Sequence, residues 1–192
     1  MSHIERKHRE KEEIKQRIFA AARKIAQKEG WMSVTIRKIA DEIEYAPPIV
    51  YEHFANKEDL FREIVYLGFD ILGEGFNEAH AKEKDPKKLL KIISTREFDF
   101  AFANTDLYTL MFSLERPTPS DNMIKNINII KGIFKDIAND DAEISKELFL
   151  TWIYICHGTL SIMLRYPEPK DCKDINKRDL FIKMLDRFIN SM

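Results

Sequence analysis

The sequence predicts an all-α protein of about nine helices, with a three-helix N-terminal domain followed by a larger helical bundle. Three observations predict it. Apolar residues recur at three- and four-residue spacing almost everywhere, and no convincing strand alternation appears. The 192 residues are 44% hydrophobic and 33% charged, enough to bury a core and unlike a disordered tail. Only six Gly and seven Pro are present, which excludes collagen-like and low-complexity structure.

The elements follow in order. Ile14, Ile18, Ala22, Ile25 and Ala26 make one face of a first helix that Gly30 stops. Thr35 opens a short second helix with Ile36, Ile39, Ala40 and Ile43 inward. Pro47 and Pro48 fit only a first helical turn, so a third helix starts there, carries Val50, Tyr51 and Phe54, and ends near Ala55. Asn56 caps a fourth, with Glu58 and Asp59 in its first turn and Leu60, Phe61, Ile64, Val65 and Leu67 along it, towards residue 82. Three of the six glycines, Gly68, Gly73 and Gly75, fall inside it and predict a kink, a close helix crossing or an early end. Asp85-Pro86 starts a helix to about Asn104, and a short one covers about Asp106 to Leu114. Pro117 to Ser120 reads as a loop, and helices follow at about 121–139, 142–166 and 176–190. The Pro167–Asp174 loop separates the last two. The division expected is residues 1–66 and 67–192.

The N-terminal MSHIERKHREKEEIKQ has no apolar stretch and does not read as a signal peptide. Cys156 and Cys172 form no C-x-x-C, so neither a disulfide framework nor a metal site is expected, and a reducing cytoplasm is the default. Leu148 to Leu164 is 17 residues without a charge, the short edge of a membrane span. Thr151, His157, Gly158, Thr159 and Ser161 interrupt it, so a helix buried in a core or a dimer interface is expected and no membrane.

Two helices of about two turns meeting at Glu44-Tyr45-Ala46 are too short to persist alone, and the first and fourth helices supply their scaffold. A helix pair with so short a turn fits a helix-turn-helix, whose second helix enters the major groove, and equally any small bundle. The residues go further. Gly30, Thr35-Ile36-Arg37-Lys38-Ile39-Ala40, Ala46-Pro47-Pro48-Ile49-Val50-Tyr51-Glu52-His53-Phe54 and Asn56-Lys57-Glu58-Asp59-Leu60-Phe61, in order and without a gap, resemble the N-terminal domain of the TetR family of transcriptional repressors. The likeness covers about residues 12 to 66. The segment Trp152 to Gly158 resembles, more briefly, the WHG type of C-terminal domain.

The resemblance implies double-stranded DNA as partner. Tyr51 and His53 match recognition-helix residues that meet phosphate, and Lys57 matches the phosphate-binding lysine opening the fourth helix, where the helix amides also favour an anion. Thr35 either caps its helix or donates to phosphate. Arg37 suits a guanine edge, and Pro47 and Pro48 suit thymine methyls. Tyr51 also fits plain packing, and Arg37 a solvated charge. Two positions depart from the family pattern. Glu44 stands where the turn usually holds Gly, which makes a different turn the expectation, since positive φ is costly for Glu. Ala46 stands where Ser would cap the third helix.

The resemblance also implies a ligand-binding, dimer-forming body. Aromatic and sulfur residues cluster at Phe98, Phe100, Phe102, Tyr108, Met111 and Phe112 and again at Trp152, Tyr154, Cys156, His157 and Met163. Phe98, Phe102, Met111, Trp152 and His157 are the candidates for a small hydrophobic ligand of unnamed identity, each equally at home in a core. The helices at about 142–166 and 176–190 carry surplus apolar faces and match the family's homodimer interface, which would set two recognition helices roughly 34–36 Å apart on a palindromic site.

No G-x-S-x-G, H-E-x-x-H, P-loop or G-x-G-x-x-G occurs, and the five His share no ligand spacing. Neither an enzyme nor a cofactor or metal is expected. The reading is therefore a ligand-responsive repressor released by its ligand. The alternative is a helical dimeric interaction module without DNA binding. The net charge of −1 hides a division. Residues 1–38 carry eleven Lys+Arg against five Asp+Glu, while residues 39–66 carry two against seven. The basic arm (Arg6, Lys7, Arg9, Lys11) is accordingly expected to supply much of the affinity.

Overall fold

A computed structural model describes residues 3–113, 118–166 and 174–192. Among these lie nine α-helices and one 3-10 turn, Trp31–Ser33. The helices are α1 (His3–Glu29), α2 (Ile36–Glu42), α3 (Pro48–Tyr51), α4 (Lys57–Lys82), α5 (Pro86–Ala103), α6 (Thr105–Met111), α7 (Asp121–Ile137), α8 (Ala142–Arg165) and α9 (Lys177–Ser191). Cys172 and most of the expected 167–174 loop fall outside the described residues, as does Pro117.

The helix starts follow from local chemistry. The side chains of Thr35, Asp85, Ser120 and Asn176 each accept from the backbone N–H three residues on. At α4 the cap is reciprocal: Asn56 Oδ1 accepts from Asp59 N (2.7 Å), and Asp59 Oδ2 accepts from Ala55 N (2.9 Å). That box claims Ala55 and Asn56 for the next helix, so α3 is shorter than its apolar pattern suggested and ends at Tyr51. With Ala46 before it, α3 has no side-chain cap.

The chain forms two compact units. The first is Met1–Leu67 with Leu110–Pro117, and the second is Gly68–Thr109 with Thr118–Met192. In the first, α1 packs on α2 and on the 3-10 turn, and α2 on α3. Ile18, Ala22, Val34, Ile39, Ala40, Val50, Leu60 and Ile64 are fully buried there. Trp31 meets the edge of Phe61 at 5.2 Å. In the second, α5 contacts α7, α8 and α9, and its stripe Leu90, Ile93, Ser94, Glu97, Phe98 and Ala101 faces inward.

Gly73 of α4 marks a close crossing, and the glycines do not end the helix early, since α4 runs to Lys82. A Cβ on Gly73 would lie 1.8 Å from Asn126 Nδ2 of α7. Asn77 binds both sides of that contact, the Gly73 carbonyl at 2.9 Å and Asn126 Oδ1 at 3.4 Å.

α8 is long and apolar enough to cross a membrane, yet only 17% of its most apolar window is buried. Within the chain, therefore, α8 is not a core helix surrounded on every side. Trp152, Cys156 and Leu160 are buried, while Ile144, Leu150, Tyr154 and Ile162 are exposed. On α9, Phe181, Leu185 and Ile189 are buried.

Candidate nucleic-acid interface and the body interior

The first unit presents α2 and α3 around the turn Ile43–Pro47. Glu44 adopts φ 61, the left-handed conformation, so the turn keeps the glycine-type path despite its side chain. Two backbone bonds hold it, Glu44 N to Asp41 O (3.2 Å) and Tyr45 N to Ala40 O (2.9 Å). Arg17 of α1 completes the turn: its Nη2 donates to Ile43 O at 2.6 Å, and its guanidinium lies 5.1 Å from the Tyr45 ring. Sequence reading missed Arg17. Its signal was an arginine one residue before the buried Ile18, a charged position next to the core face. Replacing Glu44 by Gly is expected to stabilise the protein by about 1 kcal/mol, because left-handed backbone costs a side chain roughly 1–2 kcal/mol and glycine's lost entropy returns part of it. A thermal melt checks this.

The predicted DNA residues occupy different settings. Thr35, Arg37, Pro48 and Tyr51 are exposed, Tyr51 by 56%, and Pro47, His53 and Lys57 are half-buried. Thr35 Oγ1 accepts from Lys38 N at 3.2 Å, so its capping role is filled while its hydroxyl proton stays available. Among the described residues Arg37 makes no ion pair. Lys57 Nζ lies 5.0 Å from the Phe61 ring, at the N-terminus of α4. The exposure of Tyr51 argues against simple scaffold packing.

His53 lines a groove of about 400 Å³ together with His8, Lys11, Glu12, Lys15, Asp59 and Glu63. Burial, then the Lys11 charge, lowers its pKa, which keeps the imidazole neutral at neutral pH. His53 thus offers hydrogen bonds and not a charge.

The basic surplus of residues 1–38 is partly spent inside the unit. Lys15 pairs with Glu63 (3.1 Å), Lys38 with Glu29 (2.5 Å) and Lys24 with Glu42. Arg6 and Arg9 pair along α1 with Glu10 and Glu13. Of the seven acidic residues at 39–66, Glu42 and Glu63 thus tie helices together. Among the described residues, Lys7 and Lys11 make no salt bridge and remain the arm's unneutralised charges.

In the second unit, Phe98 and Trp152 are buried and Phe102 and His157 half-buried. Met111 lies in the first unit. Phe98 stacks on Phe102 (4.4 Å) and meets Phe181 (5.1 Å). Trp152 Nε1 donates to Ser94 Oγ (2.8 Å). His157 Nδ1 is 3.4 Å from the Tyr108 hydroxyl, which donates to Glu97 Oε1 at 3.0 Å. Sequence reading passed over Glu97 and Ser94. Their signal was their place on the inward stripe of α5, Ser94 four residues from Leu90 and Phe98, and Glu97 four from Ile93 and Ala101. Burial raises the Glu97 pKa to about 7, which the Tyr108 hydrogen bond only partly counters. Burial also pushes the Cys156 thiol up, so it is an inert core residue. A surface groove of about 680 Å³ runs past Leu89, Ile124, Ile129 and Ile133, and none of the predicted ligand residues lines it. Among the described residues no group of three acidic, His or Cys side chains is placed to hold a metal.

Comparison with known proteins bears on the family and the fold. Residues 18–64 match the family model for bacterial regulatory proteins of the tetR family. The HTH-type transcriptional activator FasR of Mycolicibacterium smegmatis is 24% identical over 102 residues, 53% of this chain and 47% of that protein. The match thus spans about half the length of that relative. The TetR-family regulator PfmR of Thermus thermophilus superposes with TM-score 0.63 at 17% identity, covering 90% of this chain and 97% of that one. A TetR/AcrR-family regulator of Thermobifida fusca gives 0.65 at 19%, covering 92% and 96%. At these identities the structural likenesses establish the fold.

Proposed function

From the premise that this chain belongs to the TetR family of transcriptional regulators, we propose that it is a cytoplasmic, ligand-responsive repressor. In this reading it binds a palindromic operator as a homodimer and leaves it when the body takes up a small hydrophobic molecule. The observation that carries the DNA-binding part is the surface around α2 and α3, where exposed Arg37 and Tyr51 flank a turn built on Glu44 and held by Arg17. Arg37 reads a base edge, Pro47 and Pro48 contact thymine methyls, and Thr35, Tyr51, His53 and Lys57 hold phosphates. The exposed apolar face of α8 supports a dimer, because Ile144, Leu150, Tyr154 and Ile162 would otherwise face water. Residues 1–66 act as the DNA-binding domain and 67–192 as the ligand-binding and dimerisation domain, with Phe98, Phe102, Trp152 and His157 as ligand contacts. FasR is named an activator, which favours a second reading in which the same head recruits transcription. A reporter gene behind the selected operator separates the two by the sign of the response.

DNA selected from random sequence, followed by affinity measured across salt, tests the proposal. Lys57→Ala is expected to weaken all sequences alike and to cut the salt slope by about one, as one phosphate contact is lost. Lys7→Gln with Lys11→Gln should cut it by about two, and Arg6→Gln with Arg9→Gln by less, because those arginines are already paired. Unchanged slopes in all three variants would remove these residues from the phosphate track.

A further inference from the structure

The second unit encloses a polar cluster that packing alone does not require. Ser94 and Glu97 of α5, Tyr108 of α6, and Trp152, Cys156 and His157 of α8 are joined by hydrogen bonds or ring contact. Within it Glu97 is 5% exposed. Among the described residues no Lys, Arg or His forms an ion pair with it. Its Oε1 accepts from Tyr108, and no described donor reaches Oε2. Yet among the described residues every fully buried side-chain oxygen and nitrogen has a hydrogen-bond partner. Oε2, with no protein donor, is therefore not fully buried.

A carboxylate so placed lacks an opposite charge and one donor. A protonated amine supplies both at once, and desolvation makes such a pair strong where geometry is good. The aromatic rings of Tyr108 and Trp152 also suit a cation. A carboxylate ligand would instead set two anions together. We infer that the effector of this body is an amphipathic amine whose ammonium group pairs with Glu97 Oε2 while its apolar part lies among the neighbouring aromatic side chains. This rests on the ligand-responsive reading and names the chemical class it takes.

The test uses three molecules of one shape: 4-phenylbutylammonium, 4-phenylbutan-1-ol and 4-phenylbutanoate. Each is titrated calorimetrically into the full chain at pH 8, where Glu97, with its pKa raised to about 7, is ionised. The amine is expected to bind most tightly. Glu97→Gln should weaken it by at least about thirtyfold while leaving the alcohol nearly unchanged. Tyr108→Phe, which keeps the carboxylate, should retain the preference for the amine, and melting curves verify that both variants fold. Tighter binding of the alcohol or the carboxylate, equal amine binding by Glu97→Gln, or no binding by any of the three overturns the inference. Release of operator DNA, measured in parallel, separates the two readings. Amine binding through Glu97 without release supports the site and sinks the release mechanism, whereas release by the alcohol or carboxylate alone does the reverse.

Discussion

Glu97→Gln is expected to stabilise the protein by about 3 kcal/mol above neutral pH and to leave it nearly unchanged near pH 4. The sign follows from the direction of the shift. Burial raises the folded-state pKa from 4.5 to about 7. Below 4.5 the acid is neutral in both states and contributes nothing. Between 4.5 and about 7 the unfolded chain gives up the proton while the folded chain holds it, so stability falls as pH rises. Above about 7 the loss is complete and constant. Gln keeps an oxygen for Tyr108 and cannot ionise, so it removes this slope. For a chain of this size the gain corresponds to roughly 6–12 °C in melting temperature. Melting curves from pH 4 to 9 check it, and parallel curves for the two proteins would show that Glu97 is not poised near neutrality.

The second large effect concerns α8. Tyr154→Glu combined with Ile162→Glu is expected to yield a monomer at micromolar concentration. Both side chains are exposed, by 70% and 61%, so the fold itself should survive. Across a two-fold interface the four new carboxylates would be buried without partners, at a cost of several kcal/mol. In the proposed dimer, which grips both half-sites, affinity for a palindrome should drop by about a hundredfold or more, while binding to a half-site falls far less. Sedimentation and operator titration read the two consequences separately. A variant that remains dimeric would place the interface elsewhere.

Local chemistry was legible from residue order. Thr35, Asn56 and Asp85 announced the helix starts because a cap needs only a side-chain oxygen and amides three residues away. The helix-turn-helix segment was legible too, since residues 18–64 carry the family's pattern. Pairing across elements was not. Lys15, Lys24 and Lys38 read as part of a basic DNA surface, yet each meets a carboxylate from another helix or distant turn. Glu44 looked incompatible with the turn, but the bonds from Arg17 and from the α2 carbonyls hold it at positive φ.

Sequence alone thus determined the helix count, most boundaries and the helix-turn-helix head, because periodicity, caps and short motifs act within a few residues. Tertiary structure alone decided which charges remain unpaired, that Met111 belongs to a different unit from the other candidate ligand residues, and that α8 keeps an apolar face uncovered. It also decided that Glu97 is buried and, among the described residues, pairs with no cation. Each of these depends on which side chains meet from elements far apart in the chain, and there burial and partner geometry outweigh local preference.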